Sequence, residues 1–145
     1  MPPFAMPRPK TLLPCAALAA SAAVSIAAPM DTCTNSPTTV DRIECRENQL
    51  RAEETKQRQY LDAAVKRAAL FDLKSQNLTD EQSAWVKYRE SHCGNVYLLW
   101  AQGSIRYEMA ATCNIQLARE RTYDLWRSYL TNLDSTPPVL PNPNQ

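Results

Sequence analysis

The cysteines are the residues whose number and spacing most clearly predict a chemistry. The chain has five cysteines in 145 residues, and four of them follow the first 30 residues. Four cysteines can form two disulfide bonds or bind one zinc ion. No two of these four are separated by the two to four residues that are typical of a zinc site. The spacing therefore favours two disulfides over a metal centre among Cys33, Cys45, Cys93 and Cys113.

The remaining reactive side chains do not form a catalytic set. His92 is the single histidine, and no serine or acidic motif accompanies it. The neighbouring carboxylates Glu53 and Glu54 are interpreted as a solvated face, because glycosidase-type chemistry would require two acids in a cleft. Two glycines in the whole chain cannot build a phosphate-binding loop. We therefore expect no catalytic residue, no metal and no cofactor, and a protein that is not an enzyme.

The first 27 residues have the features of an export signal. Arg8 and Lys10 precede an uncharged apolar run, and Ser25-Ile26-Ala27 fits a small-x-small cleavage site. The alternatives are a transmembrane anchor and, through Cys15, a lipid anchor. We predict a signal peptide over 1–27, cleavage before Ala28, and a periplasmic or secreted protein.

The charge of the mature chain limits its partners. Removal of residues 1–27 leaves 14 basic and 15 acidic residues, a formal charge of −1. Nucleic acids and anionic membranes attract basic surfaces. We therefore expect a protein partner, with no nucleic acid and no membrane after signal cleavage.

The positions of proline predict an all-α fold. All eleven prolines lie outside residues 38–136, and proline interrupts helices. We predict a small three-helix domain over 39–133, with a long first helix from Thr38 or Thr39 to about Leu73. Thr79 is expected to cap helix two, which continues to Ala101, and Ser104 to cap helix three, which ends near Leu133. We expect an extended segment over 28–38 and a disordered tail over 134–145.

The link between helices two and three fixes their relative register. A connection through Gln102-Gly103 permits only an antiparallel helical hairpin. Cys93 and Cys113 lie ten residues on either side of Gly103, so each lies ~15 Å from the turn. Of the three possible connectivities, this favours Cys93–Cys113, and Cys33–Cys45 then follows by elimination.

Helix two carries an apolar stripe interrupted by polar residues. Trp85, Cys93, Val96 and Trp100 lie on one face and suit a core. Gln82 and Arg89 share this stripe, and a buried arginine requires acceptors. The hairpin register places Trp85 opposite Arg121 for a cation–π contact, Gln82 opposite Asp124, and Glu120 within a turn of Arg89. These residues form either a polar layer that fixes the register or a partner-binding edge, for which the candidates are Gln82, Trp85, Arg89, Glu120 and Arg121.

The run LTDEQSAWVKYRESHC (78–93) resembles the signature of the LprI-type lysozyme inhibitor family, in its N-terminal-domain form. That family shows the pattern Leu-x-x-x-Gln-x-x-Trp-x-x-x-Arg-x-x-x-Cys, which this chain matches at Leu78, Gln82, Trp85, Arg89 and Cys93. The resemblance extends over about residues 33–130. It implies an exported helical envelope protein whose partner is a c-type lysozyme.

Two functions follow as hypotheses. The first is an inhibitor that blocks the acidic cleft of a cationic muramidase, with Glu53, Glu54, Glu90 or Glu120 at the rim and Gln82, Arg89 or Arg121 at the cleft. The alternative is a periplasmic interaction or assembly module without inhibitory activity. That module would use the apolar end of helix one or the proline-rich tail.

Overall fold

The computed structural model describes residues 33–71 and 74–145. The predicted signal peptide, its cleavage site and Cys15 lie outside these residues, as do positions 72–73 at the expected end of helix one. No helix in the described part combines the length and the apolar character needed to cross a membrane.

Helix α1 (Thr39–Ala69) is one uninterrupted 31-residue helix. Its first turn is held by the expected pairing of Thr38 and Asp41. The backbone N–H of Asp41 donates to Oγ1 of Thr38 at 3.1 Å, and the backbone N–H of Thr38 donates to Oδ2 of Asp41 at 3.2 Å. Two of the four unpaired N–H groups at the helix start are thereby satisfied.

Helix α2 (Ser75–Leu99) begins one turn earlier than predicted. Thr79 is not its cap, because Oγ1 of Thr79 donates to the Ser75 carbonyl inside the helix at 3.1 Å. The early start brings Leu78 into the core, where the side chain is 1% exposed. Burial of this leucine outweighs the local capping preference, since a buried leucine contributes about 2 kcal/mol.

Helix α3 (Ile105–Leu125) continues into a single π-helical turn, Trp126–Leu130. Ser104 precedes the helix but makes no side-chain capping bond, contrary to the prediction. The described residues form three helices and no strand, so the all-α prediction and the antiparallel α2–α3 hairpin are confirmed. Ion pairs Arg42–Glu108 and Glu53–Arg119 show that α1 and α3 run in the same direction.

The apolar core occupies the end of the bundle where α1 connects to α2. It consists of small and large side chains from all three helices and the π-helical turn: Tyr60, Ala64, Ala68, Leu78, Leu125 and Leu130. The alanines on α1 allow α3 to approach closely, because they fill little space between the helix axes.

Covalent and ionic links hold the opposite end, where few apolar residues are buried. Cys93 is bonded to Cys113 and Cys33 to Cys45, with Cα–Cα distances of 5.7 and 5.6 Å, so both predicted disulfides are confirmed. Glu108 of α3 also lies 3.5 Å from Nε of Arg42 on α1. Trp100, which we assigned to the core stripe, is 41% exposed at this end.

The C-terminal segment differs from the expected disorder. Leu140 packs against the core, and its carbonyl accepts a 2.9 Å hydrogen bond from Nε1 of Trp126. The Pro141 carbonyl accepts from the Tyr60 hydroxyl at 2.8 Å, and the Pro143 carbonyl from Nζ of Lys56 at 2.6 Å. The proline-rich composition led us to expect disorder. Proline has no N–H donor, but its carbonyl still accepts hydrogen bonds and its ring fixes the backbone angle φ.

We predict that Leu140→Ala lowers the free energy of unfolding by about 1–3 kcal/mol, because a half-buried leucine is removed from the core edge. Urea denaturation monitored by tryptophan fluorescence measures the change. Val139→Ala is the matched control, since Val139 is 52% exposed and its contribution to the core is small. Equal stability of Leu140→Ala and the original chain would show that the segment does not contribute to the fold.

Candidate functional site

Arg121 links α2, α3 and the π-helical turn through one cluster of polar side chains. Its Nη1 lies 2.6 Å from Oε1 of Glu81, and its Nε donates to Oε1 of Gln82 at 3.1 Å. The Tyr129 hydroxyl donates to the other oxygen of Glu81 at 2.7 Å. The arginine side chain is 8% exposed and that of Glu81 is 40% exposed. The guanidinium is therefore buried against acceptors, as its charge requires.

Glu81 is held in its charged form by this cluster. Partial burial acts to raise its pKa, but hydrogen bonds from Tyr129 and Arg121 and the arginine charge outweigh burial and lower the pKa below its ordinary value. The same hydrogen bond to Glu81, together with burial, raises the pKa of Tyr129. The phenol therefore stays protonated and continues to donate at neutral pH.

Arg89 makes a second cross-helix link, towards α1. Its guanidinium stacks over the Trp85 ring at 5.0 Å, and Nη1 lies 2.9 Å from Oε1 of Glu54. This is an ion pair without a well-aligned N–H···O bond, since Nη1 and Nε of Arg89 have no hydrogen-bond partner in the described part of the chain. Glu53 pairs with Nε of Arg119 on α3 at 2.7 Å. Glu53 and Glu54 are therefore not the solvated face that we expected: they face α2 and α3.

The structure brings the predicted residues together in a different pairing. Arg121 does not stack on Trp85, because it reaches one turn further along α2 to the carboxylate and amide of Glu81 and Gln82. Gln82 accordingly bonds Arg121 and not Asp124, which pairs with Arg127. Glu120 does not pair with Arg89; it is exposed and accepts from Gln116 at 2.9 Å.

A sequence model of the family described as lysozyme inhibitor LprI matches residues 30–125, about two thirds of the chain. The chain belongs to the LprI lysozyme inhibitor family. The comparisons with curated proteins and with solved structures found no match.

In this LprI-family chain, the five residues of the LprI signature that we noted all face other parts of the protein. Leu78 lies in the core and Cys93 forms the hairpin disulfide. Gln82, Trp85 and Arg89 contact Arg121 or each other. Gln82 bonds Arg121 on α3 and Arg89 pairs with Glu54 on α1, so these two signature residues link α2 to its neighbouring helices.

The tip of the α2–α3 hairpin, residues 97–107, exposes a cluster of large apolar side chains. We did not predict this surface from the sequence. Five of the eleven large apolar side chains that are strongly exposed in the described part lie here: Leu98, Leu99, Trp100, Ile105 and Tyr107. Three consecutive apolar residues, 98–100, cover most of a helix circumference and cannot all face inward. The apolar run 98–100 close to Gly103 was the sequence feature from which an exposed apolar tip could have been predicted.

Arg106 gives this hairpin tip a rigid, positively charged centre. Its guanidinium lies 5.2 Å from the Tyr97 ring and 5.0 Å from the Tyr107 ring, and the two rings meet edge to face at 5.4 Å. A hydrogen bond between the hydroxyls raises the pKa of Tyr97 and, with Arg106, lowers that of Tyr107. Aromatic and arginine side chains held in this way lose little entropy on binding.

His92, the single histidine, lies outside the hairpin tip. His92 is exposed on α2, where its ring stacks on Tyr88 at 5.6 Å. Neither residue contacts the hairpin tip through any bond that the structure shows. No group of three or more potential metal-ligating side chains occurs within 33–71 and 74–145.

We predict that Glu81→Gln destabilises the protein by about 1–2 kcal/mol at pH 7, because the buried Arg121 loses a charged acceptor. The pKa of Glu81 is lowered on folding, so its contribution is present above its ordinary pKa and is lost as the pH falls through the folded pKa. The stability difference between the two proteins should therefore shrink below about pH 4.

Urea denaturation at a series of pH values measures this difference. Asp80→Asn is the matched control, because Asp80 is an adjacent exposed carboxylate that accepts only from Gln76 within its own helix. An equal cost of Glu81→Gln at pH 3 and pH 7 would contradict the assignment of a charged Glu81 to this cluster.

Proposed function

We propose that this protein binds a c-type lysozyme and inhibits it, acting as a binding protein and not as an enzyme. The family match over residues 30–125 carries the proposal, since inhibition of lysozyme is the activity by which the family is described. Two intact disulfides are typical of proteins outside the cytoplasm. We place the protein in the periplasm or among secreted proteins, where a lysozyme is accessible.

The hairpin tip is the contact surface that we propose. Leu99 is 78% exposed and Leu98 is 66% exposed, although both are large apolar side chains at the end of a rigid hairpin. Large contiguous patches of exposed apolar side chains are rare on the surfaces of monomeric proteins, and where they occur they mark interaction sites. The Cys93–Cys113 disulfide joins the two helices about three turns from Gly103, just behind the tip. A partner therefore meets a surface that is already ordered.

The charges of the tip suit an acidic cleft. Between residues 94 and 107 the chain has no carboxylate and one cation, Arg106. Lysozymes of the c-type hydrolyse glycans with a pair of carboxyl groups in a cleft. An apolar surface that carries one guanidinium and no carboxylate can enter such a cleft without repulsion between negative charges. Glu90 and Glu120 are exposed further from the tip, where they would meet the cationic surface around the cleft.

The predicted partner-binding residues act in this proposal mainly by positioning the tip. Arg121 is 7% exposed, and its Nε and Nη1 bond Gln82 and Glu81 of α2, so it holds the hairpin in register. Gln82, Trp85 and Arg89 belong to the same internal layer. Glu120 is the member of the predicted set that is exposed and available for contact at the rim.

We predict that the purified protein slows the lysis of a peptidoglycan suspension by hen-type lysozyme. The double substitution Leu99→Ser/Ile105→Ser should weaken inhibition at least about tenfold, because it removes two exposed apolar contacts near the centre of the tip. Arg106→Leu should weaken inhibition and reduce its sensitivity to salt, because the cation is lost. Inhibition constants from turbidity assays measure both effects.

Leu133→Ser is the control, because Leu133 is a fully exposed leucine at the opposite end of the bundle. Far-ultraviolet circular dichroism should show the same helical content for all variants. If the original chain leaves lysis unchanged at a large molar excess, inhibition is excluded and the non-inhibitory interaction module remains. If it inhibits and the tip variants inhibit equally well, the tip is not the contact surface.

A further inference from the structure

A groove lies between the C-terminal half of α1 and the docked C-terminal segment, at the end of the bundle opposite the hairpin tip. Its volume is about 660 Å³, which falls within the range of small-molecule sites. Its apolar wall is formed by Ala63, Leu70, Phe71, Val139 and Leu140. Leu70 and Phe71 are 81% and 73% exposed, so this wall has no cover within the described residues.

Arg67 supplies one unmatched positive charge within this groove. Its Nη2 donates to Oδ1 of Asn132 at 2.6 Å, and its guanidinium lies 6.0 Å from the Phe71 ring. Its Nη1 is buried and has no hydrogen-bond partner in the described part of the chain. A buried N–H donor without an acceptor costs about 1–3 kcal/mol. The guanidinium of Arg67 therefore has donor capacity left for a ligand that brings an acceptor.

The other charges of the groove offset each other. Asp62 and Lys66 line it four residues apart on α1, a spacing at which opposite charges are neighbours on the helix surface. Arg67 therefore sets the sign of the ligand, and a carboxylate is the acceptor that a guanidinium binds best. The polar end of the ligand belongs at Arg67 and its apolar part along Leu70, Phe71 and Val139.

The backbone of the C-terminal segment argues against a peptide as the occupant. The carbonyls of Thr136, Pro137, Leu140, Pro141 and Pro143 already accept hydrogen bonds from side chains of the protein. The prolines offer no N–H group, and the Val139 N–H donates to the Leu130 carbonyl at 2.9 Å. An extended peptide would find few backbone partners, whereas an acyl chain has no backbone groups to satisfy.

We infer that this groove binds a fatty acid, with the acyl chain on the apolar wall and the carboxylate at the guanidinium of Arg67. The site is separate from the hairpin tip, so the inference does not depend on lysozyme inhibition. Free energy of binding comes from burial of methylene groups, and the charge-assisted hydrogen bond fixes the orientation.

Titration with sodium dodecanoate below its micelle concentration tests the inference, by calorimetry and by the NMR signal of the Trp126 indole N–H, which is bonded to Leu140. We expect saturable binding of one dodecanoate per chain. Octanoate should bind at least about tenfold more weakly, because four methylene groups are missing. Dodecyltrimethylammonium should also bind more weakly, because it cannot accept from Arg67.

Four variants separate the groove from the rest of the surface. Arg67→Gln should weaken dodecanoate binding about tenfold or more by removing the charged donor, and Leu70→Ser should weaken it by removing part of the apolar wall. Arg58→Gln and Leu133→Ser are the matched controls, because both residues are exposed and neither lines the groove. Both controls should bind dodecanoate as the original chain does.

Three results would overturn the inference. The first is no saturable binding below the micelle concentration. The second is equal binding of dodecanoate and the cationic amphiphile, which would indicate nonspecific adsorption. The third is unchanged binding in both Arg67→Gln and Leu70→Ser, which would place the ligand elsewhere.

Discussion

The Cys93–Cys113 disulfide is the constraint on which the outer half of the bundle depends. Buried apolar residues concentrate at the other end, around Tyr60, Leu78 and Leu125, so the hairpin beyond the disulfide has little core of its own. Closing a 20-residue loop stabilises the folded state by about 3 kcal/mol in the chain-entropy description. This contribution requires no apolar burial. The side chains from 97 to 107 are therefore available for contact with a partner without loss of the fold.

The polar layer between the helices contributes specificity more than stability. Burying Arg121 and Arg89 requires that their charges leave water, a cost that ion pairs only partly offset. Each arginine, however, has acceptors in one arrangement: Arg121 at Glu81 and Gln82, and Arg89 at Glu54. A shift of α2 by one turn would leave both guanidiniums unpaired, and an unpaired buried charge is expensive. The contacts of Gln82 with Arg121 and of Arg89 with Glu54 therefore hold α2 in register with α3 and with α1, respectively.

Sequence reasoning predicted those features that depend on spacing along one chain. Three helices, both disulfides and the Thr38–Asp41 cap follow from periodicity, equal distances from Gly103 and a local motif. It failed for long side chains that have several acceptors within reach, such as Arg121. The prediction used only the backbone positions of facing residues along the hairpin and ignored the length of the arginine side chain. It also failed for the C-terminal segment, where the Trp126 and Tyr60 donors come from elements distant in sequence. Composition carries no information about such partners.

The division of the molecule into two ends explains how one small domain can present two unrelated surfaces. At the core end, Leu140 covers buried residues while Leu70 and Phe71 remain outside them, so the groove borders the core without being needed for it. At the hairpin end, the disulfide replaces the core, and Arg106 is ordered by two tyrosines that belong to the tip itself. The polar layer lies between the two ends, where Gln82 and Arg89 of α2 contact Arg121 of α3 and Glu54 of α1. Changes at one surface therefore need not alter the geometry of the other.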